Sequence, residues 1–225
     1  MLDFGVVVSN FKFLIVQGLF GVGNFAGGTL RLAIPAIVLG FGLGIFVGLG
    51  RLARATWLRT AATLYVEFFR GVPLLMVIFW MWFVIPQLLR LPIPEYGVAL
   101  AAFIVFEAAY FGEIVRAGIQ SVPRGQAEAA TALGLNGRQS MVHVVLPQAL
   151  RNMLPSLVTQ MIVLLKDTSL ASIIGYVDLT KAAQIVNNLE IKPFELYLFI
   201  AVVYWVLTYS MSRAARRLER KVSPA

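Results

Sequence analysis

Long, uninterrupted apolar runs alternate with short polar segments along most of this chain. Five of these runs are long enough, when coiled as helices, to cross the hydrocarbon core of a bilayer. None shows the apolar–polar alternation of a half-buried strand, and lipid leaves the backbone no outside hydrogen-bond partners, so the runs predict transmembrane helices. The predicted spans are Thr29–Gly50, Ala61–Leu88, Tyr96–Ala117, Leu150–Tyr176 and Phe194–Ser212.

Two further segments are apolar in part but do not have the pattern of a span. The run Phe4–Phe25 is interrupted by Asn10, Lys12, Gln17 and Asn24. Such interruptions favour a helix lying in the membrane interface over a sixth span. The connection between the last two spans carries Asn187, Asn188 and Pro193. These are turn and helix-ending residues, so the connection is predicted as a loop.

Composition agrees with a membrane protein and excludes several other classes. Of the 225 residues, 59% are hydrophobic and only 13% are charged. A soluble domain usually carries about a quarter charged residues. The chain has no cysteine and one histidine, so we expect no metal site and no catalytic centre of its own. The net charge of +8 does not indicate a nucleic-acid partner, because cytoplasmic loops of membrane proteins are basic anyway.

The positions of the basic residues predict the orientation of the chain. If the first span ends in the cytoplasm, twelve of the 19 basic residues lie in inside segments, five lie outside and two lie within spans. This asymmetry favours an outside N-terminus and an inside C-terminus. The inside residues are Arg51, Arg54, Arg59, Arg116, Arg124, Arg138, Arg151, Arg213, Arg216, Arg217, Arg220 and Lys221.

The one long polar passage lies between the third and fourth spans, on the predicted inner side. Ser121 is predicted as the N-cap of a short helix over Gln126–Leu133, a stretch rich in strong helix formers. Gly134 suits the left-handed residue that ends such a helix. Asn136 with Gln139 three residues later predicts the capping box of a second short helix. An ordinary surface helix would have the same local chemistry.

The spacing of the motifs carries a resemblance to a known family. In the polar passage, Glu128-Ala129-Ala130 is followed by Gly134, Val144 and Leu146-Pro147. Three more motifs occur in the same order as in the family: Phe69–Leu74, Phe106–Gly118 and Leu165–Leu170. Over nearly its whole length the chain resembles the permease subunits of type I ABC importers, in the polar amino acid branch. It is most similar there to glutamate/aspartate permeases, and glutamine is the alternative substrate.

The resemblance implies an all-α membrane protein with about five transmembrane helices and a cytoplasmic coupling-helix loop. It also implies a division into an interfacial segment 1–27, a transmembrane domain 28–217 and a basic cytoplasmic tail 218–225. The protein would lie in the bacterial inner membrane as a transport subunit, not an enzyme. The residues expected to couple it to an ATPase are Arg124, Gly125, Gln126, Glu128, Ala129, Ala130 and Gly134.

The resemblance implies partners as well. Besides membrane lipid, they are a homologous permease subunit or a second copy of this chain, an ATP-binding-cassette ATPase dimer, and a periplasmic or lipid-anchored amino acid binding protein. This chain has no G-x-x-x-x-G-K-[ST] loop, so ATP and Mg²⁺ would be bound by the partner ATPase and the chain itself would hold no cofactor.

Charged residues inside the predicted spans suggest a substrate pathway, because such groups usually face a cavity or each other. An amino acid zwitterion needs one anionic and one cationic contact. Lys166 with Thr168 or Ser169 could contact the carboxylate, and Glu107 or Asp167 the ammonium group. Tyr110 shares a helix face with Glu107, whose alternative role is a structural hydrogen bond to a neighbouring helix.

Two closely spaced pairs of charges are predicted to be structural. Glu67 with Arg70 and Glu113 with Arg116 each have i, i+3 spacing and should pair along their own helices. Two other classes of protein are less well supported. A secondary transporter would explain the buried charges, but such folds show internal repeats and broken helices. A membrane enzyme lacks support, because no serine is paired with a base and the chain has no cysteine.

Overall fold

A computed structural model describes residues 3–22, 27–90 and 92–222, with side chains up to residue 217. Parts of the predicted interfacial segment and of the basic tail therefore lie outside the described residues. The described residues form helices and no strand. In chain order the helices are α1 Gly5–Ser9, a π-helical segment Phe13–Phe20, α2 Thr29–Arg51, α3 Thr56–Gly71, α4 Leu74–Leu89, α5 Glu95–Gln120, α6 Arg124–Ala132, α7 Gly137–Ile174, α8 Leu179–Glu190 and α9 Pro193–Val222.

Four of these helices, α2, α5, α7 and α9, are long and apolar enough to cross a membrane. The pair α3 and α4 together meets the same criterion and would make a fifth span, although the two helices are bent by 103° relative to each other. An all-α membrane protein with about five spans is therefore confirmed. The core lies between α2, α5, α7 and the start of α4.

The bend between α3 and α4 corrects the prediction of one continuous span over Ala61–Leu88. Val72 adopts an extended conformation, with φ −111° and ψ 140°, and Pro73 follows it. A proline has no N–H to donate, and its ring disfavours helical geometry in the residue before it. The apolar pattern hides this break because both sides of Pro73 are hydrophobic.

The span predicted as Leu150–Tyr176 begins earlier than expected, within α7. The sequence predicts that the span begins just after Pro147, yet the helix already starts at Gly137. The backbone over Met141–Val145 is π-helical, and Pro147 occupies the first turn of the α-helical part that follows. A π-turn shifts the hydrogen-bond pattern locally, so the missing N–H of the proline does not end the helix.

Helices α2 and α5 pack with their backbones in close contact. Gly40, Gly44 and Gly48 lie buried along the contacting face of α2. A Cβ atom on Gly44 would lie 2.6 Å from the Cβ atom of Phe111, and one on Gly48 would lie 2.6 Å from the carbonyl oxygen of Gly112. Small residues that allow such an approach are the usual basis of helix association in lipid.

The described N-terminal residues pack on α8 and α9 in a second hydrophobic cluster. Leu14 is fully buried there together with Leu179 and Leu196. Gly18 fits closely against α8, since a Cβ atom on it would lie 2.9 Å from the Cβ atom of Ala182. Helix α8 itself contradicts the prediction of a loop between the last two spans.

Asp178 begins α8 and links it to α9. Its fully buried carboxylate accepts hydrogen bonds from the backbone N–H of Thr180 at 3.0 Å and of Lys181 at 2.9 Å, and from the hydroxyl of Tyr204 at 3.2 Å. The two backbone bonds satisfy free donors of the first helical turn. Burial disfavours the charged carboxylate more strongly than the hydrogen bonds favour it. The pKa of Asp178 is therefore raised from 3.8 to about 6.

We predict that Gly44→Val destabilises the protein by about 1–3 kcal/mol, because the contact on Phe111 leaves no room for a side chain. Gly42→Val is the matched control, since nothing lies within 4 Å of a Cβ atom on Gly42. The measurement is the thermal unfolding midpoint of both variants in detergent. Equal midpoints would show that the α2–α5 contact tolerates a shift.

A second prediction concerns pH. The folded carboxyl of Asp178 has a raised pKa and the unfolded one an ordinary pKa, so proton uptake favours the folded protein. The free energy of unfolding should rise by on the order of 1 kcal/mol as the pH falls from about 7 to about 5, with the gain starting near the folded pKa and complete below the unfolded pKa. Asp178→Asn should lose this rise, whereas Glu190→Gln, at an exposed position on the same helix, should keep it. Unfolding midpoints at both pH values test this, and an unchanged slope in Asp178→Asn would contradict it.

Candidate functional site

The short helix α6 presents most of the predicted coupling residues to solvent. Six of the seven predicted coupling residues are exposed to solvent, namely Arg124, Gly125, Gln126, Glu128, Ala129 and Gly134. Ala130 is the exception, because it is buried and packs α6 against the rest of the chain. Leu133, at the end of the helix, is 84% exposed.

The end of α6 and the start of α7 have the predicted local geometry. Gly134 has a φ of +86°, and its N–H bonds to the carbonyl oxygen of Thr131 at 2.9 Å. This φ lies in the left-handed region that favours glycine. Asn136 and Gln139 form the predicted capping box, with bonds of 3.0 Å and 2.9 Å between each side chain and the other's backbone N–H.

The prediction of Ser121 as the N-cap of this helix is wrong. Ser121 continues the helical turn of α5 with φ −73° and ψ −16°, and its hydroxyl donates back to the carbonyl oxygen of Gly118 at 2.7 Å. The side-chain amide of Asn152, from α7, donates to the same hydroxyl at 2.8 Å. Pro123 occupies the cap position instead, with extended backbone. The short connection leaves no room for Ser121 to leave α5 and still cap α6.

Glu107 is fully buried inside the bundle, where it contacts α7. The side-chain amide of Gln160 donates to its Oε2 atom at 2.8 Å. Among the described residues its other oxygen, Oε1, is buried without a hydrogen-bond partner. A structural hydrogen bond to a neighbouring helix, one of the two roles predicted for Glu107, is therefore present. It involves only one of the two carboxylate oxygens.

The four predicted pathway residues on α7 differ in their exposure to solvent. Asp167, the last residue before the helix tightens into a 3₁₀ turn, lies close enough to Glu107 and Tyr110 to influence both electrostatically. Lys166 is exposed on this subunit, and Ser169 is half-buried.

The buried hydroxyl of Thr168 is already engaged in its own helix. It donates to the carbonyl oxygen of Leu165 at 2.7 Å. Thr168 can therefore offer a substrate only its acceptor lone pairs. Of the six predicted pathway residues, Glu107, Tyr110 and Asp167 lie near enough to one another to interact electrostatically.

A cluster of charges surrounds Glu113 on α5. Arg116 of the same helix binds it through Nη2 at 2.5 Å and Nε at 3.0 Å, which confirms the predicted pair. Arg51, from the end of α2, also pairs with it, and Nη1 of Arg70, from the end of α3, lies 4.0 Å away. One carboxylate thus faces three guanidinium groups.

The predicted pairing of Glu67 with Arg70 is wrong. Glu67 is exposed, and the guanidinium of Arg70 is directed towards Glu113 and lies over the ring of Tyr110 at 5.7 Å from its centroid. The i, i+3 spacing puts two residues on one face of a helix but does not decide whether a third helix offers a better partner.

No group of three or more His, Asp or Glu side chains within the described ranges could hold a metal ion. The features that the structure does supply are a bundle of apolar helices, a polar cluster inside it and an exposed helix between two spans. Together they define an integral membrane protein with a polar cluster between its helices. The family model described as "Binding-protein-dependent transport system inner membrane component" matches residues 40–224, and the chain belongs to this family.

Named relatives agree over most of the chain. The "Probable glutamine ABC transporter permease protein GlnP" of Bacillus subtilis is 40% identical over 195 residues, covering 85% of this chain and 88% of the relative. The "Glutamate/aspartate import permease protein GltK" of Escherichia coli is 38% identical over 202 residues, covering 87% and 90%. The resemblance to ABC importer permeases is confirmed, and the chain is a multi-pass inner-membrane transport component.

Solved structures share the fold. The crystal structure of an amino acid ABC transporter with histidines superimposes with a TM-score of 0.90 at 33% sequence identity, covering 98% of this chain and 99% of that one. An inward-facing methionine ABC transporter, MetNI, gives a TM-score of 0.77 at 22% identity and shows the shared fold alone, over 95% of this chain and 98% of its own.

Proposed function

We propose that this chain is the membrane subunit of an ATP-driven importer of polar amino acids, with glutamate, aspartate or glutamine as its substrate. The observation that carries the proposal is α6, an exposed helix with the Glu-Ala-Ala motif, held between two spans. The names of the relatives, which are glutamine and glutamate/aspartate permeases, support the substrate class. A separate ATPase would bind ATP and Mg²⁺, and a periplasmic or lipid-anchored binding protein would deliver the substrate.

The orientation follows from charge. The side of the membrane that carries α6 also holds the majority of the basic residues, which favours a cytoplasmic loop with the N-terminus outside and the C-terminus inside. This orientation gives an ATPase access to α6. A second permease, either a homologue or a copy of this chain, would complete the pathway, and Lys166 is exposed where such a subunit could approach it.

Helix α6 is built to pass a displacement to two spans at once. The connection to α5 is short, and the connection to α7 is fixed by Gly134 and the Asn136 capping box. Side-chain hydrogen bonds connect α7 to both neighbouring helices. The amide of Asn152 donates to Ser121 at the end of α5 at 2.8 Å, and the amide of Gln148 donates to Gln126 of α6 at 3.3 Å. A push on the exposed face of α6 would therefore move the inner ends of α5 and α7, which is the motion that alternating access needs.

The polar cluster suits the ammonium end of an amino acid. Glu107 offers a buried oxygen without a partner in the described part of the chain, Asp167 adds a second carboxylate nearby, and Tyr110 lies on the same helix face. A buried acceptor without a partner is costly, and a substrate ammonium would satisfy it. Lys166 and the hydroxyl of Ser169 would serve the carboxylate when the second subunit encloses the site.

Coupling can be tested at the end of α6. Gly134→Val forces a β-branched residue into the left-handed region, and this should cost about 1–3 kcal/mol locally. Combined with Glu128→Lys, it should lower ATPase co-purification and ATP-driven uptake in proteoliposomes at least tenfold. Gly137→Val is the control, because Gly137 has open space and no positive φ.

Full assembly and uptake in the Gly134→Val/Glu128→Lys variant would overturn the proposed coupling. The chain has no cysteine, so Leu133→Cys provides one thiol for labelling. An impermeant maleimide should label it only in inside-out vesicles. Labelling in right-side-out cells would refute the cytoplasmic position of α6.

The substrate contacts can be tested by neutralisation. Glu107→Gln and Lys166→Met should each lower uptake by roughly tenfold or more, the usual effect of losing a charged hydrogen bond, while assembly and basal ATPase activity persist. Glu67→Gln is the matched control, since Glu67 is exposed and has no ion-pair partner in the described part of the chain. Wild-type uptake kinetics in both site variants would exclude these residues from the pathway.

A further inference from the structure

Helix α9 is longer than the membrane requires. It has 30 residues, and at the rise of an α-helix it extends for about 45 Å. The hydrocarbon core of a bilayer is only about 30 Å thick, so the last turns project from the apolar region. Arg213, Arg216 and Arg217 lie in these turns, and all three side chains are exposed. Within the described side chains, no carboxylate pairs with any of them.

The three arginines and Tyr209 line an open pocket of about 320 Å³. Arg213 is held in place at its edge. Its Nε and Nη2 atoms donate to the Tyr209 hydroxyl at 3.0 Å and 2.8 Å, and its guanidinium lies 5.3 Å from the centroid of the same ring. The ring of Trp205 stacks on Tyr209 at 5.2 Å between centroids. One cation of the pocket is thus held in place by Tyr209.

The same helix face continues from the pocket as an apolar strip. Val202, Trp205 and Val206 are 49%, 62% and 51% exposed. Their spacing of three and four residues places them in line with Tyr209. Along α9 the surface therefore changes from aliphatic to aromatic to cationic. A phospholipid standing beside the helix changes in the same order, from acyl chain to interface to phosphate.

We propose that this face of α9 is a binding site for an anionic phospholipid, with the lipid phosphate in the pocket of Tyr209, Arg213, Arg216 and Arg217 and an acyl chain along Val202, Trp205 and Val206. Guanidinium groups bind phosphate through paired N–H donors. Three arginines clustered in one pocket favour a headgroup of net negative charge over a zwitterionic one. The site shares no residue with α6 or with the Glu107 cluster, so it is independent of the proposed function.

The charge of the pocket also distinguishes a lipid from a helix of a second subunit. Burying unpaired arginines against another transmembrane helix would be costly unless that helix supplied carboxylates. Interfacial lipid supplies phosphate without that requirement, and basic residues next to a span attract anionic lipid. Trp205 and Tyr209 stack on each other, and tryptophan and tyrosine are the residues most typical of the headgroup level.

The experiment measures lipid retained by the purified transporter complex. Complex in detergent is mixed with equal amounts of phosphatidylglycerol and phosphatidylcholine, and bound lipid is counted by native mass spectrometry. Wild type should retain phosphatidylglycerol preferentially, and Arg216→Gln/Arg217→Gln should lower its occupancy on the order of tenfold. Arg54→Gln/Arg59→Gln removes the same charge from other exposed positions and should have no such effect.

A second variant separates a shaped site from diffuse charge. Arg213→Lys keeps the charge but loses the planar donors that bond to Tyr209, so it should also lower phosphatidylglycerol occupancy. Inorganic phosphate in the millimolar range should not displace the lipid, because it has no acyl chain to bind the apolar strip.

Four results would overturn the proposal. The first three are equal retention of both lipids by the wild type, equal loss in the Arg54→Gln/Arg59→Gln control, and displacement of the lipid by inorganic phosphate alone. Loss of the ATPase or of the second permease from Arg216→Gln/Arg217→Gln, with lipid retention unchanged, would also refute it and would assign this face to a protein contact.

Discussion

The close contact between α2 and α5 orients everything that α5 carries. Gly44 and Gly48 bring the two backbones so near that neither position can carry a Cβ atom without a shift. Helix α5 holds Glu107, Tyr110 and Glu113 and leads directly into α6. Its rotation against α2 therefore decides which of its faces meets α7 and where the exposed helix begins.

The polar cluster and the exposed helix are joined by rigid helix rather than by flexible loop. Glu107 and Ser121 are separated by about 20 Å along α5. Gln160 and Asn152 bridge to them from α7 at corresponding levels. A displacement at α6 can therefore reach the polar cluster through two helices that are hydrogen-bonded to each other at both of these levels. The charges around Glu113 lie between these two points and add α2 and α3 to the same unit.

The bend between α3 and α4 at Pro73 lies beside the group of helices that Glu113 connects. Arg70 lies near the end of α3, just before the proline, and its guanidinium reaches α5 through Glu113 and Tyr110. The packing of α4 into the core begins immediately after the bend, with Leu74 and Val77 buried. Motion of α5 would therefore act on the bend between α3 and α4 through the electrostatic contact of Arg70 with Glu113 and Tyr110.

Residue patterns alone predict the number of spans, the exposed helix between the third and fourth of them, its glycine end and the capping box that follows. These features depend on run length, side-chain type and backbone preference within a few residues, which are all local. The bend at Pro73, the helix α8 and the place of Ser121 at the end of α5 were not predicted. Three pairings emerge only once the helices are packed: Glu113 gathers arginines from three helices, Arg70 turns away from Glu67, and Glu107 meets Gln160. Pairings between helices depend on how each helix is rotated and shifted against its neighbour, and close packing at small residues sets that geometry at positions far apart in the chain.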